Sequence, residues 1–362
     1  MDLSNLSRKL IFSFVTLMVL LLFCEGTVRL ADLDARYFGN PFIGKVWWTE
    51  HLMPDPFVQW RGRPGLKVSW GSERLNKKGY RGPDFHERDR PGVRRVALLG
   101  DSCTFGLIRV GNNKYAFLES YPQILQVLLD EKYGRGRFEV LNYAHLGYTT
   151  YHGRRILHRE TMPAEPDIVV IRFGWNDHSS SRVGYSYSDP ENSLIEGLKY
   201  ALYRSRLVSM VLFRGLPQFS KKKIWQSSPN PTVWVTAKDY ERNLTRMIGM
   251  VRDRGAVPVL LDVPRGGLTP EIRRMRGYLK ITGYDTFENY LGAHDRYQKI
   301  TASVAERERV RFVRTELSSP VAGSACCFNR YDFAHPNAAG HARIARSLFK
   351  EISERVVQEE TQ

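Results

Sequence analysis

The sequence predicts an α/β protein: a three-layer α/β/α domain on a parallel sheet of about five strands, preceded by an N-terminal transmembrane helix. Three observations predict it. Short apolar runs alternate with segments of helical spacing from Arg95 onward. Those runs are continuously apolar rather than alternating, as strands buried on both faces must be. A stretch without charge, Leu10 to Cys24, stands beside a basic N-terminus.

That stretch reads LIFSFVTLMVLLLFC, with Arg8 and Lys9 before it and Glu25 after it. Fifteen helical residues span roughly 22 Å, short of a hydrocarbon core of about 30 Å; adding Gly26, Thr27 and Val28 brings it near spanning length. The basic flank favours a cytoplasmic N-terminus and an exported remainder. A cleaved signal peptide is the rival reading, but Cys24-Glu25-Gly26 matches a small-x-small cleavage site poorly. Phe23 argues against lipid modification of Cys24. The expected location is therefore the cell membrane, single-pass, with the main domain extracytoplasmic (periplasmic if the cell is Gram-negative).

Residues 1–29 are read as this anchor or uncleaved signal, and 30–90 as a juxtamembrane stalk, aromatic and basic (Trp47, Trp48, Trp60, Trp70), packing on the main domain. The main domain covers 91–356. Its expected strands are Val96–Leu99, Phe138–Leu141, Ile168–Phe173, Val257–Val263 and Val310–Val313. The helices between and after them are expected over 121–133, 149–161, 236–254, 286–308 and 337–356. An insertion at 178–235 breaks the rhythm. Within it, 193–216 with Lys221, Lys222, Lys223 and Trp225 reads either as a basic amphipathic helix on a membrane or anionic substrate, or as a helix packed over the sheet edge. The interval 264–285 is read as a loop.

Composition narrows the class. Of 362 residues, 42% are hydrophobic and 25% charged, which excludes a disordered chain, a collagen-like repeat and a polytopic membrane protein. The net charge of +16 favours anionic partners. No nucleic-acid motif accompanies it, so nucleic acid is not an expected partner. Four cysteines are too few for a disulfide scaffold, and neither they nor His145, His152 and His158 have the spacing of a metal site. No metal site is expected from these spacings.

Open parallel sheets carry their reactive groups beyond the carboxyl ends of the strands. There the sequence places GDSCTFG (100–106), NYAHLGYTT (142–150), GWND (174–177) and DFAHPNAAGH (332–341), each after its expected strand. Each block is weak alone; four in this order are a strong signal. They resemble the SGNH/GDSL hydrolase superfamily of esterases, lipases and carbohydrate deacetylases. NKKGYRGPDF (76–85) also resembles membrane-anchored bacterial members. The resemblance covers roughly 76–355 and implies a flavodoxin-like fold, no cofactor, and ester hydrolysis or acyl transfer.

The chemistry can be built from the residues as well. A serine hydroxyl needs a base to take its proton as it attacks. Ser102, at a strand-to-helix turn, is the candidate nucleophile and His335 the base, with Asp332 orienting the imidazole. The resemblance assigns the oxyanion donors to the Ser102 and Gly147 N–H groups and the Asn176 amide. Asp101, Gly174 and Asp177 are expected to support these loops. Cys103 adjoins the nucleophile, and Cys326 and Cys327 lie on the approach to Asp332. In an oxidising compartment Cys103 bonded to one of that pair and three free thiols both stay open.

The leading function is an exported serine esterase or deacylase acting on an acylated glycan or lipid. An O-acyltransferase of envelope polysaccharide, working with envelope-polysaccharide machinery, would use the same residues. A catalytically silent glycan-binding or assembly protein is a third reading, against which the intact Ser, Gly, Asn, Asp and His set speaks.

Overall fold

The apolar runs become a sheet. The structure, a computed structural model, describes residues 3–31, 33, 52–55, 57–67, 74–86, 91–111, 114–181, 198, 202, 205–208, 232–315, 317 and 326–360. They divide into two units, Met1–Arg61 with Asp189–Ser227, and Gly62–Ser188 with Ser228–Gln362.

In the first unit the apolar stretch lies in one helix, Leu3–Leu30. Its 28 residues measure about 42 Å at 1.5 Å per residue, so the helix is long and apolar enough to cross a membrane. Side chains from Leu10 to Phe23 are exposed along it. At its end Glu25 pairs with Arg29 one turn on, and its carboxylate also accepts the Ser205 hydroxyl (2.7 Å) and the Arg206 (2.9 Å) and Leu207 (2.8 Å) N–H groups. Strands β1 (Leu52–Asp55) and β2 (Gln59–Gly62), which holds Trp60, pair with each other. Trp47, Trp48, Trp70, Lys221–Lys223, Trp225 and, apart from 198, 202 and 205–208, the expected 193–216 helix lie outside the described residues.

In the second unit β3 (Arg94–Gly100) opens a five-stranded sheet. A two-stranded hairpin follows it, β4 (Leu107–Gly111) with β5 (Lys114–Phe117). Then come β6 (Phe138–Asn142), β7 (Ile168–Arg172), the short β8 (Ser180–Ser181) and β9 (Thr232–Val233), β10 (Val257–Leu261), β11 (Arg311–Val313), β12 (Phe328–Asn329) and β13 (Asp332–Pro336). The main sheet runs β11-β10-β7-β3-β6, every neighbouring pair parallel. Leu98 faces Asn142 on one side and Val170 on the other, which sets the register at the reactive end.

Both faces of the sheet are dry, as continuous apolar strands require. Val96, Leu98, Val170, Val259 and Leu261 pack with Leu125 and Leu129 of the Tyr121–Tyr133 helix and with Ile344, Leu348 and Ile352 of the Ala338–Glu360 helix. The alternate residues Ala97, Leu99, Val169 and Ile171 are equally buried and point to the opposite face. Helices Thr150–Ile156, Ala237–Arg252 and Phe287–Arg307 complete that layer.

Three intervals differ from the expectation. The 149–161 helix is α-helical only over Thr150–Ile156, and continues as a π-turn over Leu157–Thr161. The 264–285 loop holds two short helices, Pro270–Arg274, capped by the Thr269 hydroxyl on the Ile272 N–H, and Arg276–Thr282. The DFAH block is a strand, with β13 antiparallel to β12. β8 pairs antiparallel with β9, Ser181 against Thr232, so the two ends of the 182–231 interval meet.

Candidate active site

The site grows from the end of β3. Asp101 leaves the strand extended and caps the one-turn helix Ser102–Phe105, its carboxylate accepting the Cys103 N–H at 2.9 Å. That turn is possible only because Gly100 has no side chain: a Cβ there would lie 2.0 Å from Thr104 Oγ1. Arg81, from the NKKGYRGPDF segment, donates to the Phe105 carbonyl at 2.6 Å and braces the same helix.

Ser102 Oγ lies 2.9 Å from His335 Nε2, a residue 233 positions away. His335 Nδ1 lies 2.8 Å from Asp332 Oδ2. An ionised carboxylate only accepts, so Nδ1 carries the ring proton and Nε2 is left to accept from the Ser102 hydroxyl. The second Asp332 oxygen accepts the Ala334 (2.9 Å) and His335 (3.0 Å) N–H groups. Burial pushes the Asp332 carboxyl up, but His335, by charge and hydrogen bonds, and the Arg109 N–H outweigh it and hold the group below its ordinary range. Asp332 therefore stays ionised at neutral pH.

The loops that follow β6 and β7 meet each other. Gly147 has φ +77°, a left-handed backbone that a side chain would strain. Asn176 donates an amide N–H to the carbonyl of Tyr148, the residue after Gly147, at 2.9 Å. The amide has a second hydrogen beyond the one in this bond. Gly174 has φ +155° and faces Gln298. Asp177 is buried, and Oδ1 accepts the Thr150 N–H and hydroxyl. Burial raises its pKa to about 7, against the pull of the Thr150 bonds.

Among the described cysteines, Cys326 and Cys327 are joined to each other, and Cys103 is free. Neither of the pairings left open by the sequence is found. Adjacent cysteines need no long-range placement to meet, whereas Cys103 is buried and its thiol donates to the Ala334 carbonyl at 3.3 Å. Burial pushes that thiol well up, so it is no competing nucleophile. His145 and His152 are both buried, and each accepts a backbone N–H on Nδ1, from Leu146 and Thr149.

Two residues at the site escape the sequence reading. Arg172, at the end of β7, is buried and donates Nε to the Asp262 carbonyl at 3.2 Å; burial opposes its charge, but Cys103, Tyr121, Asp101 and Asp262 favour it. Its signal is a lone charge in the run IVVIRF. Arg109, on β4, donates its backbone N–H to Asp332 Oδ2 at 2.9 Å, and no local pattern marks it.

A family model described as GDSL-like Lipase/Acylhydrolase family matches residues 98–343, from inside β3 into the last helix. No curated protein matches the sequence. Among solved structures, an acetylxylan esterase from Geobacillus stearothermophilus aligns over 72% of this chain and 94% of its own, at 18% identity and a TM-score of 0.42. A lipase/acylhydrolase from Enterococcus faecalis aligns over 73% and 97%, at 17% identity and a TM-score of 0.46.

Proposed function

The chain belongs to the GDSL-like lipase/acylhydrolase family and is an ester-bond hydrolase, and from that premise we propose an exported, membrane-anchored serine esterase that removes an acyl group from a glycan or lipid. The observation that carries the catalytic part is the pair of bonds linking Ser102 Oγ to His335 Nε2 and His335 Nδ1 to Asp332.

In the first half-reaction the Ser102 oxygen attacks the ester carbonyl carbon while its proton passes to His335 Nε2. The imidazolium that forms is stabilised by the ionised Asp332. The carbonyl oxygen becomes an oxyanion, received by the Ser102 and Gly147 N–H groups and the free hydrogen of the Asn176 amide. Each such donor is worth about 2.7–4 kcal/mol in the transition state. Collapse breaks the ester bond, His335 returns the proton to the leaving alcohol oxygen, and the acyl group stays on Ser102. Water then attacks the acyl-enzyme with His335 as base, releasing the acid and restoring the serine.

Retention of the N-terminal helix as an anchor is supported by Glu25. A cut on its C-terminal side would remove the carboxylate that accepts the Ser205 hydroxyl and the Arg206 and Leu207 N–H groups. Arg8 and Lys9 on the other flank favour a cytoplasmic start.

The test is labelling by a fluorophosphonate probe and mass spectrometry of the adduct after incubation with native envelope material. Labelling and an acyl adduct are expected on Ser102. Ser102→Ala should abolish both and reduce turnover on the order of 10⁴–10⁶-fold. Undiminished esterase activity in that variant overturns the nucleophile assignment.

A further inference from the structure

We propose that Arg109 is a positioning residue for the ester hydrolysis: its backbone N–H, held still by its own side chain, registers the Asp332 carboxylate with the segment that carries the nucleophile. The inference rests on the Ser102–His335–Asp332 reading above.

Asp332 takes four hydrogen bonds. Three come from residues 334 and 335: the Ala334 and His335 N–H groups on Oδ1 and the imidazole on Oδ2. Those donors travel with Asp332, so they fix its shape but not its place relative to Ser102. The fourth, from the Arg109 N–H to Oδ2 at 2.9 Å, comes from elsewhere. Arg109 lies on β4, which follows the Ser102–Phe105 turn after only Gly106. This bond therefore ties the nucleophile's stretch of chain to the base's stretch, on the carboxylate oxygen that faces the imidazole.

Any residue but proline supplies an N–H. What arginine adds is immobility. Its guanidinium lies 5.0 Å from the ring centres of both Tyr115 and Tyr278, donates to Met275 Sδ at 3.1 Å and bonds the Tyr115 hydroxyl. Tyr115 is its partner across the hairpin, and Tyr278 sits on the Arg276–Thr282 helix, edge-on to Phe333 at 5.8 Å. The side chain thus clamps β4 to the helix packed beside Asp332. Such clamping matters because displacing a reacting group by about 1 Å costs on the order of 100-fold in rate.

The test uses the full-length protein in detergent, p-nitrophenyl acetate turnover, and the rate of fluorophosphonate labelling. Arg109→Ala keeps the N–H but removes the clamp. The expected result is a fall in kcat of about 10–100-fold with KM changed less than about threefold. The acid limb of the kcat/KM profile should move to lower pH, because a misaligned carboxylate supports the imidazolium less. Arg109→Lys, which keeps the cation over the rings, should recover part of the loss. In an Asp332→Asn background the same Arg109→Ala change should slow labelling less than about twofold, since its action runs through the carboxylate. An unmoved pH profile, or an equal fold-loss in both backgrounds, overturns the proposal. Should Arg109→Ala fail to fold, Tyr115→Phe, which removes one phenol oxygen, enters the same cycle with the same criteria. Full activity in Ser102→Ala and Asp332→Asn would instead bring down the underlying triad reading, and this inference with it.

Discussion

Asp177 ties the GWND loop to the Thr150 turn with a carboxyl that burial drives toward the neutral form. Its folded pKa of about 7 stands above the ordinary 3.8, so its contribution to stability is complete below pH 3.8 and is lost as pH rises through 7. Asp177→Asn can accept both Thr150 bonds on its amide oxygen without ever ionising. We expect its Tm to exceed that of the natural protein at pH 8 by several degrees, the gap narrowing steadily as pH falls below 7 and closing only near pH 3.8; a gap independent of pH contradicts the assignment. The candidates Ser102, Asn176, Asp332 and His335 stand out in the sequence because each lies in a short polar block that follows an apolar run or precedes the last helix. Arg172 and Arg109 were not, because burial of a charge runs against the sorting by polarity that sequence reading relies on.

Elements built on one dominant force were readable. The five strands of the sheet are built on short apolar runs, and the 121–133 and 338–360 helices show apolar residues at helical spacing. The β4–β5 hairpin was not readable: it buries Arg109 beside Leu107 and Ile108, so neither period two nor an apolar run marks it. β12 is two residues long and pairs with β13 through a register shift, too short for any period to mark it. The N-terminal helix is the clearest element of all. If it is retained, the intact mass of membrane-extracted protein should include residues 1–29, and alkaline carbonate should leave the protein in the membrane fraction. A mature chain starting near Gly26 would refute retention.

The whole molecule carries a buried set of neutral histidines. Burial holds His152 and His341 at about 3 and His294 at about 4, all below the ordinary 6.5. For such bases stability is present above pH 6.5 and lost as pH falls toward 4 and below, because the unfolded chain takes up protons that the folded one refuses. Each contributes a slope of about 1.4 kcal/mol per pH unit, and the three outweigh the opposite trend of Asp177. The urea midpoint should therefore drop steeply between pH 6.5 and 4.5; a flat profile would show that these rings are reached by solvent.

The pairing of Ser181 with Thr232 gives the fold a socket. A chain that departs and returns through one doorway can be lengthened, trimmed or exchanged there without rethreading any strand of the sheet. A change of length between those two residues thus leaves the five paired strands in register.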